Sequence, residues 1–232
     1  MKTASNVRMA MPGNKNYRCW ASPHSLTRSL IVYFCFCYSA FLQAQNVLVT
    51  TNVGNITIQL DELKAPITTS HFLGLVDASA YENTVFHRVV PGFMVQAGGY
   101  YSNMKEAQEV RMIINEADNG LLNERGTIAM ARLSEIDSAS RQFFINVASN
   151  QSLNHHKKSC TRKQEESVAK AFARGIRRPV TCKSFGYAVF GKVVSGMEVV
   201  DQIELAKTKT VDDFEDVPIE PIIIQSISRV LF

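Results

Sequence analysis

Apolar and polar positions alternate strictly from Asn55 to Leu60, where Ile56, Ile58 and Leu60 are separated by Thr57 and Gln59. A period of two buries one face of a strand. Val47 to Thr51 is a second β-rich run, and with Asn52-Val53-Gly54 between them the two predict a hairpin. The period then changes. Pro66 sits at a first helical turn, and Ile67, His71, Phe72, Leu75 and Val76 recur at helical spacing up to Asp77. Strand-like runs follow at Thr84 to Val89, Phe93 to Gln96, Thr127 to Ala131, Gln142 to Val147 and Tyr187 to Val194. Gly196 to Leu205 reads as a helix, and Pro221 to Val230 as a closing strand. Many short strands with two helices far apart in sequence predict a mainly β fold, an antiparallel barrel capped by helices.

One segment breaks this pattern. Residues 155–184 carry nine basic residues against two acidic ones. Within it Thr161-Arg162-Lys163-Gln164 has the form of a capping box, in which hydroxyl and amide satisfy the orphan N–H groups of a helix start. Val168, Ala171, Phe172 and Ile176 follow at helical spacing, and Pro179 blocks continuation. The segment therefore reads as an inserted basic loop carrying a short amphipathic helix.

Charge and cysteine placement add a compartment. The first 44 residues hold five basic residues and no acid, while residues 45–232 hold 20 Lys plus Arg and 21 Asp plus Glu. The formal charge of +4 for the whole chain thus becomes −1 without the leader. Ser29 to Ala44 is apolar behind that basic region, the order of a secretory signal with cleavage after Ala44. No apolar run reaches the roughly 18 residues of a membrane span. The residue organisation is thus 1–44 signal peptide and 45–232 one domain, of a length that suits a single core. Cys19, Cys35 and Cys37 fall in the leader, leaving Cys160 and Cys182 as an even pair, the usage of an oxidising compartment. A disulfide between them is expected. Free thiols, or a metal site using His155 and His156, are the competing readings, but adjacent histidines and this cysteine spacing form no common zinc pattern, so no metal is expected.

FHRVVPGFMVQAGG (Phe86 to Gly99), RGTIAMAR (Arg125 to Arg132), RQFFINVASN (Arg141 to Asn150) and FGYAVFGKVVSGMEVVDQI (Phe185 to Ile203) occur in this order. Together they resemble the cyclophilin-type peptidyl-prolyl cis-trans isomerases, over Val47 to Asn154 and Ser184 to Val230. With the leader and NEADNGL (Asn115 to Leu121), the chain is similar to the bacterial periplasmic form. The resemblance implies a closed eight-stranded antiparallel barrel capped by two helices. It also implies catalysis of Xaa–Pro rotation with no nucleophile, metal or organic cofactor.

By that resemblance Arg88 is the donor to the prolyl nitrogen, and Gln96 orients both substrate and Arg88. Phe93, Met94, Phe144 and Leu153 form the proline pocket. Ala131, Arg132 and Gln142 line the peptide groove, the first two through backbone groups, and Tyr187 stands where many members have histidine. Strand alternation adds two expectations: Arg88 shares a side with Phe86 and opposes His87, and Met94 shares a side with Gln96. On composition alone Phe93, Met94, Phe143 and Phe144 read as plain core, and Arg88 as half of a surface ion pair. Only one of Phe143 and Phe144 can face a given side, and the resemblance gives the pocket to Phe144. Departures exist. Ser152 replaces a large aromatic, which implies weak binding of cyclosporin-like macrocycles; Ala97 replaces a glycine; Arg141 replaces a small residue and is expected to make the groove rim more basic.

The expected partners are proline-containing unfolded or exported polypeptides. Residues 155–184 follow directly on Leu153 and so project beside the site, where their charge suits acidic clients or an anionic envelope surface. No nucleic acid is expected for an exported protein, and a monomer is the expected state. Two function classes stand: an active isomerase of the periplasm, and a catalytically weak cyclophilin-shaped binding module or chaperone.

Overall fold

The computed structural model describes residues 45–156, 161–173 and 185–230. The leader, Cys160 and Cys182, and Ile176 and Pro179 lie outside the described residues. Strands β1 (Asn46–Thr51) and β2 (Gly54–Leu60) form the anticipated hairpin. Helix α1 (Pro66–Asp77) begins on its proline. Strands β3 (Thr84–Val90) and β4 (Met94–Tyr101) follow, then β5 (Thr127–Met130) and β6 (Phe143–Asn146). Helix α2 (Arg162–Ala173) precedes β7 (Val189–Ser195) and helix α3 (Met197–Glu204). The chain ends in β8 (Thr208–Val211), β9 (Phe214–Pro218) and β10 (Ile224–Val230). The capping box at Thr161 is present: Gln164 Oε1 accepts from the Thr161 amide at 2.7 Å, and the Gln164 amide donates to Thr161 Oγ1 at 3.3 Å.

Eight strands make one antiparallel sheet in the order β10-β1-β2-β7-β5-β6-β4-β3. It curls strongly but does not close, which corrects the closed barrel expected from sequence. The edge strands β3 and β10 meet through one bridge, Val85 to Ile223, and through the Asn83 and Phe86 amides donating to Ile224 and Ile222 carbonyls at 2.8 and 2.9 Å. A continuous ladder is absent there because β3 is irregular, with register shifts on both sides of Phe86. The hairpin of β8 and β9 packs against β3 as a separate two-stranded sheet. Nothing in the charged run TKTVDDFEDV signalled that hairpin, since Val217 and Pro218 are its only buried residues.

Inside the curl, Phe72 of α1 packs on Tyr81, Phe143 and Phe190 with ring centroids 5.2–5.7 Å apart. Val47, Val49, Ile56, Ile58 and Leu60 supply the β1–β2 wall, each no more than 2 % exposed, as their alternation requires. Helix α3 packs against β2, β3 and β4, burying Val200 and Ile203.

The irregularity in β3 sets up the site. Phe86 pairs with Ala97 and Arg88 with Gln96, so two steps on β3 match one on β4. That is a β-bulge, which leaves one residue over and resets the in-out parity. Phe86 and Val89 both lie in the interior core, as do Ala97 and Val95 opposite them. Arg88 is turned outward with Gln96. The expectation that Arg88 and Phe86 share a side is therefore wrong. Regular alternation, on which it rested, fails at the bulge.

His87 is the residue caught at the bulge. It is 4 % exposed, its ring meets Tyr100 edge-on at 4.8 Å, and its Nδ1 has no hydrogen-bond partner. Burial pushes its pKa from 6.5 down to about 4, aided by the neighbouring Arg88 charge and only partly offset by the Val85 backbone and Gln142 side chain.

Helix α1 has an unusual start. Its N-cap residue, Ala65, offers no side-chain cap. Glu116 supplies one from elsewhere in the chain: its carboxylate accepts from the Ile67 amide at 3.1 Å, the Thr68 amide at 2.8 Å and the Thr68 hydroxyl at 2.7 Å. A carboxylate there satisfies orphan donors and complements the helix dipole.

Two predictions follow from this packing. Glu116→Ala should lower the unfolding free energy by about 1–2 kcal/mol with an unchanged denaturant slope; a shift below about 0.3 kcal/mol would mean that water caps the helix equally well. For His87, the folded pKa lies below the unfolded one, so the stability gained by keeping it neutral is complete above pH 6.5 and is lost as pH falls towards about 4. Between pH 7 and pH 5 the wild type should lose about 2 kcal/mol more than His87→Phe. Parallel pH profiles in denaturant titrations would contradict this.

Candidate active site

Five neighbouring strands present their outward residues to one surface. In sheet order β3, β4, β6, β5, β7, these are Arg88; Met94 and Gln96; Phe144; Ala129; and Val189. The alternation in β6 holds: Phe143 joins the interior core while Phe144 joins a separate apolar cluster. That cluster gathers Phe93, Met94, Ala131, Phe144, Leu153 and Tyr187, all of them anticipated. Met94 is 2 % and Phe144 4 % exposed, whereas Phe93, Leu153 and Tyr187 are half-buried. Met94 and Phe144 are thus buried in a second, smaller core cluster with Phe93 packed against it, while Phe143 belongs to the main interior core.

Polar groups border this surface. Gln96 Nε2 donates to Gln142 Oε1 at 2.8 Å, so the two amides form one fixed unit. Gly99 makes room for it, because a Cβ there would lie 2.5 Å from the Gln142 side chain. The Arg88 guanidinium is 44 % exposed and its Nε lies 3.7 Å from Asp216 Oδ2. The surface ion pair that a lone arginine suggests is present, and it coexists with a position beside Gln96.

Arg132 is occupied with its own loop. Its Nε donates to the Gly186 carbonyl at 2.9 Å and its Nη1 to Leu133, Ser134 and Glu135 carbonyls at 2.9–3.3 Å. The guanidinium also lies 4.9 Å from the Tyr187 ring centre, and Tyr187 meets Phe144 edge-on at 5.7 Å. Arg132 thus steadies Tyr187. Its side chain is committed to backbone carbonyls, one on Gly186 and three in its own loop. The Ala131 amide donates to the Gln142 carbonyl at 2.9 Å, tying the two residues together.

Arg141 overturns its expectation. It is 5 % exposed and donates to the Gly98 carbonyl at 2.7 Å, the Gln108 carbonyl at 2.5 Å and the Ala80 carbonyl. It is buried in a ring of backbone oxygens, with its guanidinium turned away from the rim. The long side chain reaches inward because three backbone carbonyls converge where its guanidinium can bond them.

Several positioning residues were not anticipated. Asn123, Asn146, Asn150 and Asn154 are each no more than 9 % exposed. Asn150 Nδ2 donates to the Phe93 carbonyl and to Asn146 Oδ1, both at 2.7 Å. Asn146 donates to Asn123 Oδ1 at 3.2 Å, and Asn123 to the Leu153 carbonyl at 3.1 Å and, through its amide, to Asn154 Oδ1 at 2.7 Å. This buried chain of amides fixes the backbone of Phe93 and Leu153, two residues packed against the outward apolar cluster. Val90, Leu121, Ala129 and Val189 complete the apolar cluster. Val90, Ala129 and Val189 stand two residues from Arg88, Ala131 and Tyr187, whereas Leu121 lies in a loop with no such signal. Gly92, in the turn before Phe93, donates to Glu204 Oε1 of α3 at 2.7 Å.

Helix α2 starts close by. Arg162 pairs with Asp137 at 3.0 Å, donates to the Asn115 carbonyl at 2.7 Å and lies 5.2 Å from the Phe185 ring centre.

Chemically, this surface offers an apolar cluster, two linked amides and a half-exposed permanent cation. It suits a neutral, rigid ring flanked by peptide groups.

Comparison with known proteins agrees with that chemistry. The family model for cyclophilin type peptidyl-prolyl cis-trans isomerase/CLD matches residues 46–229. The chain is 48 % identical over 181 residues to peptidyl-prolyl cis-trans isomerase A of Dickeya dadantii (strain 3937), covering 78 % of this chain and 82 % of that one. It is 41 % identical over 178 residues to peptidyl-prolyl cis-trans isomerase B of Escherichia coli (strain K12), covering 77 % and 95 %. In fold it resembles the crystal structure of a cyclophilin type peptidyl-prolyl cis-trans isomerase of Cryptosporidium parvum, with a TM-score of 0.60, 24 % identity, and coverage of 82 % of this chain and 99 % of that one. Since the matched region spans both the curled sheet and every strand that builds the slot, the chain belongs to the cyclophilin-type family of peptidyl-prolyl cis-trans isomerases.

Proposed function

We propose that this isomerase acts on Xaa–Pro bonds of exported polypeptides as they fold, with Arg88 as the acting donor. The observation that carries the reading is the Arg88 guanidinium beside Gln96, at the edge of the apolar cluster that holds Phe93, Met94, Phe144 and Leu153.

Rotation about an Xaa–Pro bond meets a barrier of roughly 18–20 kcal/mol, because resonance gives the C–N bond double-bond character. No bond to carbon is made or broken. Whatever localises the lone pair on the prolyl nitrogen lowers the barrier. Arg88 presents N–H donors on a permanent cation, and a hydrogen bond from it forms best to the pyramidal nitrogen of the twisted amide. The apolar slot favours the less charge-separated twisted state and holds the ring. Gln96, fixed by Gln142, orients the acyl side, while the backbone at Ala131 and Arg132 and the Tyr187 edge hold the flanking peptide. Ser152, exposed beside Leu153, leaves one end of the groove without the large aromatic that would grip a macrocycle.

The apolar segment behind a basic, acid-free leader supports export to the periplasm, and the even pair Cys160 and Cys182 supports an oxidising compartment with a disulfide. The net charge of +7 over residues 155–184 supports recruitment of acidic clients or an anionic envelope surface. The anchorage of α2 through Arg162 bears on where that charge stands, since Asn115 and Phe185 also border the groove loops.

In a protease-coupled assay on a short Xaa–Pro peptide, Arg88→Ala should lower kcat/KM by about one to two decades, the equivalent of a charged hydrogen bond worth about 1.5–3 kcal/mol. Wild-type turnover in that variant would remove Arg88 from the reaction. Deleting residues 156–183 should leave the rate on a neutral peptide intact and slow refolding catalysis of an acidic client at low salt. Equal losses on both substrates, or none on either, would end the recruitment reading.

A further inference from the structure

Asp216 has no part in the scheme above, yet it is the charged partner of Arg88. Two independent backbone irregularities meet at this pair. On β3, the bulge beside Phe86 turns Arg88 outward. On β9, Asp216 itself stands in the left-handed region at φ 61°, unusual inside a strand. Non-glycine residues held in such conformations concentrate where geometry is functionally demanded. The hairpin is also seated independently of the ion pair: Phe214 meets Tyr100 edge-on at 4.9 Å, and Tyr100 in turn covers His87.

The contact recorded between the two side chains lies at one edge of the guanidinium. Asp216 Oδ2 approaches Nε of Arg88, the edge nearest the chain, at 3.7 Å. Among the described residues, the terminal amino groups of Arg88 make no hydrogen bond within the protein. A carboxylate behind the guanidinium restrains its swing while leaving the outer donors free for a substrate. At 38–44 % exposure the pair contributes little to stability, so its value lies in orientation.

We propose that Asp216 is a positioning residue for isomerisation, holding the Arg88 guanidinium by its Nε edge so that its terminal amino groups face the prolyl nitrogen. This rests on the assignment of Arg88 as the acting donor.

The test is a double-mutant cycle on the full chain with Arg88→Ala and Asp216→Asn, read by NMR exchange on a saturating Xaa–Pro peptide. Asparagine tolerates the left-handed backbone, so Asp216→Asn removes the charge without disturbing β9; Asp216→Gly serves as the second variant. Asp216→Asn should lower kcat by about two- to five-fold, with KM and the unfolding midpoint unchanged. It should have no effect in the Arg88→Ala background, and 1 M salt should bring the wild type down towards the variant. An unchanged kcat in Asp216→Asn, or the same loss repeated without Arg88, overturns the proposal. If Arg88→Ala alone keeps wild-type kcat, the donor assignment itself falls, whatever Asp216 does.

Discussion

One extra residue in β3 decides which way Arg88 faces. A regular strand would place residue 88 on the same face as Phe86, inside the core, where an arginine would have to be neutralised or left unpaired at a cost of several kcal/mol. The bulge turns Arg88 outward and keeps Val89 in the core behind it. The same step traps His87 under Tyr100, where burial keeps it neutral, so of these two neighbours only Arg88 carries a charge. The edge where β3 meets β10 is left with a single bridge, so the sheet stays an unclosed curl.

The rest of the site depends on backbone held from beneath. Aromatic side chains grip a proline ring only if their own positions are fixed, and loops such as that before Phe93 are soft by default. Here Asn150 bonds the Phe93 carbonyl, Asn123 bonds the Leu153 carbonyl, and Asn146 joins the two asparagines. These amides bury no charge beneath the apolar cluster. Arg141 serves the neighbouring loop similarly, tying Gly98, Gln108 and Ala80 together from inside. Preorganisation is what a reaction without covalent chemistry has to rely on, since neither a nucleophile nor a proton transfer lowers its barrier.

Legibility tracked how local each determinant is. The β1–β2 hairpin, α1, and the split between Phe143 and Phe144 follow from short-range periodicity and were readable directly. So was the capping box at Thr161 and Gln164, whose two halves lie three residues apart. The orientation of Arg88 was not, because a bulge leaves no mark in a pattern of period two when the surrounding run, TVFHRVV, is apolar on both faces. The β8–β9 hairpin escaped because its charged run shows little burial. Glu116 caps a helix start nearly fifty residues away, and the buried carbonyls that draw Arg141 inward come from three distant segments. Pairings of that kind belong to the fold as a whole. The pocket residues themselves came from resemblance, which carries long-range information that composition lacks.

If a charged donor over a preformed slot is the source of acceleration, binding and catalysis should separate cleanly. The most direct measurement is two-dimensional NMR exchange between cis and trans forms of a proline peptide under saturation, comparing wild type with Arg88→Gln, which keeps an amide donor and removes the cation. The account predicts that the variant binds the peptide with nearly the same affinity while exchange of the bound peptide slows at least about ten-fold. Exchange at the wild-type rate in a saturated Arg88→Gln complex would contradict it.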